Sequence, residues 1–275
     1  MIFDYNQSIW GKDTANLSPT HPTAFRLRQA LINLRPLKSG ARILEIGCGA
    51  GQFIKAIKQH LPSSECYGFD ISETAIKLAQ SRDSSVNYLS GSGARWPLAD
   101  NFFDAVVIFD VLEHVESVEQ TMLEIQRILK PGGLVYAFIP CEGDYLSLWH
   151  SLRFSKRFDR LTALYAGHIN RHSRSKWEEL IRHFGFKIMD KKYSEHVLGQ
   201  IIGVLSFYLM DRNAKKRKLS QLNNEEYFDQ LNQKTKFKKV INFLRVLINS
   251  LIYLESVILQ NFPSPNLHIV LKKPN

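Results

Sequence analysis

Cysteine is scarce in this chain. Its three residues, Cys48, Cys66 and Cys141, form no CxxC pair and no Cys/His cluster at zinc spacing, which argues against a disulfide framework or a structural zinc site. The opening residues, MIFDYNQSIWGKD, lack a basic segment followed by an apolar core, so no secretory signal is expected. No continuous apolar run approaches the ~20 residues that a bilayer crossing needs. The strongest, Val197 to Met210, is interrupted by Gln200, and no transmembrane span is expected. Repeats and low-complexity stretches are also missing. A reducing, cytoplasmic setting follows, with membrane association as a second expectation for reasons given below. Acidic residues are the minority, 26 against 36 Lys and Arg, for a net charge of +10. That balance suits nucleic acid, an anionic membrane or an anionic substrate, and specifies none of them.

What is present is an ordinary globular composition, 44% hydrophobic and 23% charged over 275 residues, which excludes disordered and fibrous classes. Between Ala41 and Tyr193 the pattern alternates strand and helix. ARILEI, ECYGFD, VNYLS, DAVVIF, GLVYAFI and FKIMDKKY read as strands. GQFIKAIKQHL reads as a helix with Phe53, Ile54, Ile57 and Leu61 on one face. SETAIKLAQS is a helix capped by Ser72, with Glu73 in its first turn. A further helix covers Val118 to Leu129 and stops at Lys130-Pro131-Gly132-Gly133, and SKWEELIRHF is another, turned by Gly185 into its strand. Near-continuous apolar strands alternating with helices predict a parallel sheet covered on both faces. Cys141 to His172 has no clean periodicity.

The tail breaks this rhythm. Glu195 to Phe262 reads as largely helical, and LHIVLKK as a strand that returns to the sheet. The expected organisation is a helical lid segment over 1–40, a Rossmann-like domain over 41–194 with 263–275, and a helical insertion or cap over 195–262. Arg212 to Lys239 holds nine cations and three acids, a net +6. Beyond it, Val240, Leu244, Leu247, Leu251, Leu254 and Ile258 share a helix face opposite Asn242, Arg245, Asn249 and Ser256. The favoured expectation packs this apolar face on the domain. A basic and amphipathic pair also matches an interfacial signature, so peripheral membrane contact is the competing expectation.

The strongest motif is ILEIGCGAG, Ile43 to Gly51. A buried strand runs into a glycine turn and then a helix; Gly47 and Gly49 allow close approach of a ligand to the backbone, and Gly51 close packing of helix on strand. Nineteen residues past Gly51, ECYGFD ends on Asp70, where an acid accepts the ribose hydroxyls of a bound nucleoside. The spacing is G-x-G-x-G, and Glu45 stands two residues ahead. A carboxylate there repels a pyrophosphate and attracts the cationic amino-acid end of S-adenosylmethionine. Just past the fourth strand, DVLEHV carries Glu113 and His114, the latter a candidate base or substrate ligand. Tyr145, after the fifth strand, is a candidate to close over the bound ligand's reacting end, and Tyr5 to Trp10 a candidate aromatic lid.

ILEIGCGAG, YGFDISETAIKLAQ, GSGARWPLADNFFDAVVIFDVLEHV and EIQRILKPGGLVYAFIP, in this order, resemble the class I S-adenosylmethionine-dependent methyltransferases, particularly their small-molecule branch. The resemblance spans about Ala41 to Pro140. It implies a Rossmann-like α/β fold with a mostly parallel seven-stranded sheet, helices on both faces and an antiparallel last strand, in agreement with the returning strand. It also implies S-adenosylmethionine as cofactor and S-adenosylhomocysteine as product. Glu45, Gly47, Cys48 and Gly49 would line the methionine end, with Gly51 in the turn. Asp70 would hold the ribose, Ile71 pack on adenine, Ser92 and Gly93 flank the adenine edge, and Phe109 or Asp110 lie beneath the methionine portion. The family usually has an aspartate where Ser92 stands; a neutral hydroxyl accepts the adenine amino group more weakly. GHINRHSRSKWEELIRHFGF is similar to a second segment of this branch, which makes His168 a candidate over the active site, with Arg171 and His172 as substrate-binding neighbours. No metal is assigned.

The implied activity is methyl transfer to a small molecule, and the insertion's likeness to segments of glycan- and lipid-linked methyltransferases suggests an amphiphilic, lipid-linked or saccharide acceptor. An RNA methyltransferase is the first alternative; Asp110-Val111-Leu112-Glu113 stands where a [DN]-P-P-[YF] clamp would be, so nucleic acid is not the expected partner. The other is a cofactor-binding membrane-surface adaptor without catalysis. Neither the atom methylated nor the oligomeric state is legible.

Overall fold

The computed structural model describes residues 9–11, 14–93, 95–217 and 238–275. Seven strands, β1 (Arg42–Ile46), β2 (Glu65–Asp70), β3 (Asn87–Ser90), β4 (Phe103–Phe109), β5 (Leu129–Pro140), β6 (Lys187–Ser194) and β7 (Asn266–Lys272), form one sheet in the order β3-β2-β1-β4-β5-β7-β6. The first five are parallel. β7 lies antiparallel between β5 and β6, with Ala137 opposite Ile269 and Tyr193 opposite Leu267. The expected α/β architecture, with a reversed last strand reached after the tail helices, is the observed one.

Helices cover both faces. On one side α1 (Ala24–Leu34), α2 (Gln52–His60) and α3 (Glu73–Arg82) bury Leu27, Leu31, Ile54, Ile57 and Ile76 against Ile43, Val107 and Phe138. On the other, α4 (Val118–Ile128) and α8 (Arg174–His183) bury Met122, Ile125, Trp177 and Ile181 against Leu44, Ile46, Val106 and Ile108. Alternate residues of β1 and β4 thus feed opposite cores, which is why these strands are apolar throughout. Ser72 caps α3 by accepting from the Ala75 N–H at 3.2 Å, and Ser117 caps α4 from Gln120 at 3.1 Å. The aperiodic stretch holds three short helices, α5 (Leu148–Leu152), α6 (Lys156–Asp159) and α7 (Leu161–Tyr165).

α1 is built into the covering layer, with Ala24, Leu27 and Ala30 fully buried. At the other end the structure departs from the sequence reading. The tail contains α9 (Leu198–Arg217) and α10 (Lys238–Leu259), and α10 is turned the other way round. Val240, Leu244, Leu247, Leu251, Leu254 and Ile258, expected to be buried, are exposed. Hydrogen bonds mark the side of the helix that faces the domain. Asn249 Nδ2 donates to the Thr20 carbonyl at 2.8 Å, Ser256 Oγ accepts from the Glu195 N–H at 3.0 Å, and Glu255 Oε1 accepts from the Val197 and Leu198 N–H groups. These bonds turn Asn249, Glu255 and Ser256 toward the domain, while Arg245 of the same stripe stays exposed. A second correction concerns length. Lys239–Leu259, with a mean hydropathy of 1.5, is the helix among the described residues long and apolar enough to cross a membrane. Single polar residues break it into short runs, so it escaped a search for continuous apolarity. Tyr5 to Ser8 of the expected aromatic lid, and residues 218–237 of the basic stretch, lie outside the described residues.

Candidate functional site

A cavity of about 1660 Å³ opens at the carboxyl ends of β1, β2 and β4, the end of a parallel sheet where ligands bind. Ordinary ligand sites run to ~1,000 Å³, so this one has room for a cofactor and an acceptor together. Of the sequence-predicted residues, Glu45, Gly47, Cys48, Gly49, Asp70, Ile71, Ser92, Gly93, Phe109, Asp110, His114 and His168 all line it. Two do not. Gly51 (φ +88°) faces Tyr88, whose hydroxyl would meet an added Cβ at 2.4 Å, so it serves packing. Tyr145 is 74% exposed and lies away from the cavity lining. The short turn Asp144–Ser147 holds it outward, and the structure gives it no place over a methyl group. Arg171 pairs with Asp159 and His172 packs on Trp177, so the expected substrate-binding cluster also does not form.

The glycine turn is held from β2. Asp70 accepts from the Gly49 N–H and the Ser72 N–H, each at 2.8 Å, which aims its carboxylate at the turn while lone pairs remain for a ligand. Burial pushes its pKa up, against the lowering effect of these N–H donors. Beside it Ile71 is 57% exposed within the cavity wall, an apolar surface fit for a flat base. This donor set and shape suit a nucleoside, and Asp70 is the group that would take its hydroxyls. Glu45 has a structural duty as well: its Oε2 accepts from the Ile54 N–H at 2.7 Å, anchoring the first turn of α2, and burial raises its pKa well above the usual carboxylate range. Trp10 closes over the turn, its carbonyl accepting from the Ala50 N–H at 3.0 Å.

Gly47 (φ +69°) is tightly held: an added Cβ would sit 2.4 Å from Val111 Cγ2. Gly47→Ala is therefore expected to destabilise the protein by about 1–3 kcal/mol through overpacking, with left-handed strain added. Thermal melting should show a partial recovery in the Gly47→Ala/Val111→Ala double variant. No recovery at all would place the cost elsewhere.

The opposite wall is charged. Asp110, just past β4, has φ +52°, and this turned backbone points its carboxylate at Arg26 Nη1, 2.5 Å away. Arg26 also reaches Glu195 Oε1 at 3.2 Å and lies over the Phe138 ring at 3.9 Å. Burial alone would lower the guanidinium's pKa, but Asp110 and Glu195 together hold it above its ordinary value. Phe109 stacks on Phe53 with ring centroids 3.9 Å apart.

The two histidine loops are stitched together. The Glu113 carbonyl accepts from the Ile169 and Asn170 N–H groups at 2.9 Å, and Asn170 Nδ2 donates to the Leu112 and Val115 carbonyls. His114 and His168 consequently meet edge to face at 4.8 Å. His168 Nδ1 is 2.5 Å from Glu142 Oε1, and Glu142 Oε2 in turn accepts from the Thr162 hydroxyl at 2.9 Å. Burial would lower the His168 pKa, but Glu142 outweighs it and raises it to about 9. Burial and the neighbouring His168 drive His114 down to about 3. Glu113, whose carboxylate has no hydrogen-bond partner among the described residues, is pushed by burial up to about 8. Near neutrality, then, His168 is an oriented imidazolium, His114 neutral and Glu113 a protonated acid. Glu113, His114 and His168 bring metal-capable atoms within 4.8 Å of one another, and a metal there would have to displace protons from His168 and Glu113.

Sequence reasoning found His114 and His168 but missed Arg26, Glu142, Thr162 and Glu195. Arg26, a cation between buried Phe25 and Leu27, offered a faint signal. Glu142 offered none.

A family model described as a methyltransferase domain matches residues 44–137. Among curated proteins, 24-methylenesterol C-methyltransferase 2 of Arabidopsis thaliana is 29% identical over 143 residues, 50% of this chain and 37% of that one. Demethylmenaquinone methyltransferase of Staphylococcus carnosus is 29% identical over 111 residues, 39% of this chain and 46% of that one. The chain thus spans less than half the length of these relatives. Among solved structures, the [4+2]-cyclase SpnF superposes with a TM-score of 0.59 at 16% identity, covering 92% of this chain and 82% of that one. At that identity the likeness concerns the fold alone.

Proposed function

We propose, from the premise that the chain belongs to the class I, Rossmann-like methyltransferases, that it transfers a methyl group from S-adenosylmethionine to an apolar small molecule bearing an acidic, phenol- or enol-type hydroxyl. The observation that carries this reading is the Glu142–His168 pair in the cavity wall. S-adenosylmethionine, when bound, supplies an electrophilic methyl on a sulfonium, and transfer is an in-line displacement. This chain's residues do the rest. Asp70 would hold the ribose, Ile71 and the Ser92-Gly93 loop the base, and the backbone at Gly47 and Gly49 the amino-acid end. Glu142 holds the His168 ring through Nδ1, which leaves Nε2 to exchange a proton with the acceptor.

The choice of acceptor follows from proton affinity. A phenol ionises near pKa 10, close to the value of about 9 at His168, so the neutral imidazole, a minor form near neutrality that grows with pH, takes its proton at little energetic cost. An aliphatic hydroxyl, with proton affinity near that of water at ~15.7, is mismatched by more than six units. An ionised phenol can be methylated at oxygen or at a ring carbon. Apolar acceptors are named for two relatives, a methylenesterol and a demethylmenaquinone, and the cavity wall from α9 and α10 includes Ile202, Phe207, Ile252 and Tyr253. A methyl-transfer panel of phenolic lipids, sugars and amines, read by mass, tests the reading. Product with phenolic or quinol-type acceptors is expected; turnover confined to sugars or amines would overturn it.

A further inference from the structure

The tail helices turn one face to the cavity and another to solvent. Inside, Gly199, Gly203 and Phe207 of α9 and Asn249, Ile252 and Tyr253 of α10 line the cavity. Outside, Val240, Leu244, Leu247, Leu251, Leu254 and Ile258 form one stripe along α10, exposed from 44 to 64%, and α9 exposes Ile201 and Leu205. Contiguous apolar surface of this kind marks an interaction site. We propose that the outer face of α10 docks this protein on an anionic lipid bilayer, with the helix lying in the plane of the interface and the cavity behind it receiving its acceptor from the lipid phase.

Charge and hydrogen bonding select this occupant. By sequence, the stretch from Arg212 to Lys239 that leads into α10 carries a net +6. Two copies meeting through this face would bring together the like charges of Lys238 and Lys239, which open α10, whereas an anionic surface attracts them. Basic residues next to an exposed apolar helix face are the combination that binds membrane interfaces. Length alone would let α10 cross a bilayer, but its inner face is tied to the domain. Asn249 bonds Thr20, Tyr253 accepts from Arg28 at 2.8 Å, Ser256 and Glu255 accept from the backbone at 195–198, and Gln260 just beyond bonds Gln29. A spanning helix would forfeit all of these in a medium that cannot replace them. Lying flat keeps them and buries only the apolar side.

The proposal extends the reading of an apolar acceptor, and it is tested without any acceptor so that the two can fail separately. The full chain is mixed with phosphatidylcholine vesicles with and without phosphatidylglycerol and separated by flotation, while S-adenosylhomocysteine binding and melting temperature are measured in parallel. The expected result is binding to the anionic vesicles, weakened by salt and released by alkaline carbonate. The Leu247→Asp/Leu254→Asp variant, altered only on the exposed face, should bind roughly tenfold more weakly or worse, with melting and ligand binding unchanged. Absence of vesicle binding, equal binding by the variant, or retention through carbonate overturns the proposal. So does a dimer that the double substitution disperses in the absence of vesicle binding, since a second copy would then be the occupant.

Discussion

His168→Gln should lower kcat by about two to four orders of magnitude, the usual contribution of a positioned general base and equivalent to about 3–5 kcal/mol of barrier. S-adenosylhomocysteine affinity should stay within a few-fold, because Asp70 and the glycine turn are held independently of this ring. A pH profile separates proton transfer from mere packing. The base must be neutral to act, and Glu142 raises the His168 pKa to about 9, so kcat/KM should climb with pH through about 9. Glu142→Gln removes the charge responsible and should move that limb to lower pH while reducing the maximum. The same pair makes an opposite statement about stability. A folded-state pKa above the unfolded value of ~6.5 contributes stability that is complete below ~6.5 and lost as pH rises through about 9. Melting temperature should therefore fall over that window in the parent more than in Glu142→Gln. A profile identical in both proteins would remove His168 from the chemistry.

Asp70→Ala should weaken S-adenosylhomocysteine binding by roughly tenfold or more, measured by titration calorimetry. A hydrogen bond to a charged group is worth about 1.5–3 kcal/mol, and tenfold is about 1.4. The structure adds a second loss, because the same carboxylate ties the Gly49 and Ser72 N–H groups and the alanine would loosen the turn as well as the ribose site. Asp70→Asn keeps one oxygen acceptor and should lie between parent and alanine. Unchanged affinity in a folded Asp70→Ala protein would mean that the ribose is held elsewhere.

The division between what could be read and what could not follows the range of the forces involved. The strand of β1, the glycine turn at Gly47 to Gly51 and the acid at Asp70 are a local grammar: apolar run, positive-φ residues, helix start, next strand end. Such features depend on neighbours within ~30 residues, and the structure brings them to one cavity as the spacing implied. The returning strand β7 was legible for the same reason, as a short alternation-free apolar run after a proline-bounded helix. Tyr145 misled because a loop position after a strand end specifies proximity to a site and not direction.

By itself, then, the sequence determined the order of strands and helices, the covering of the sheet on both faces, the glycine-turn site and the presence of histidines near it. Tertiary structure decided which of those histidines carries a proton and which face of α10 meets the domain. Glu142 is 26 residues from His168, and Arg26 is 84 from Asp110 and 169 from Glu195. No periodicity encodes such pairings, because a buried charge is satisfied by whatever opposite charge the fold brings within reach. The orientation of α10 is the plainest case. Its apolar stripe predicted burial, yet the side that meets the domain is the one that bonds the backbone at 195–198 and the Thr20 carbonyl. The stripe of leucines shows that the helix has an apolar side, and only the tertiary contacts show that this side is turned away from the domain.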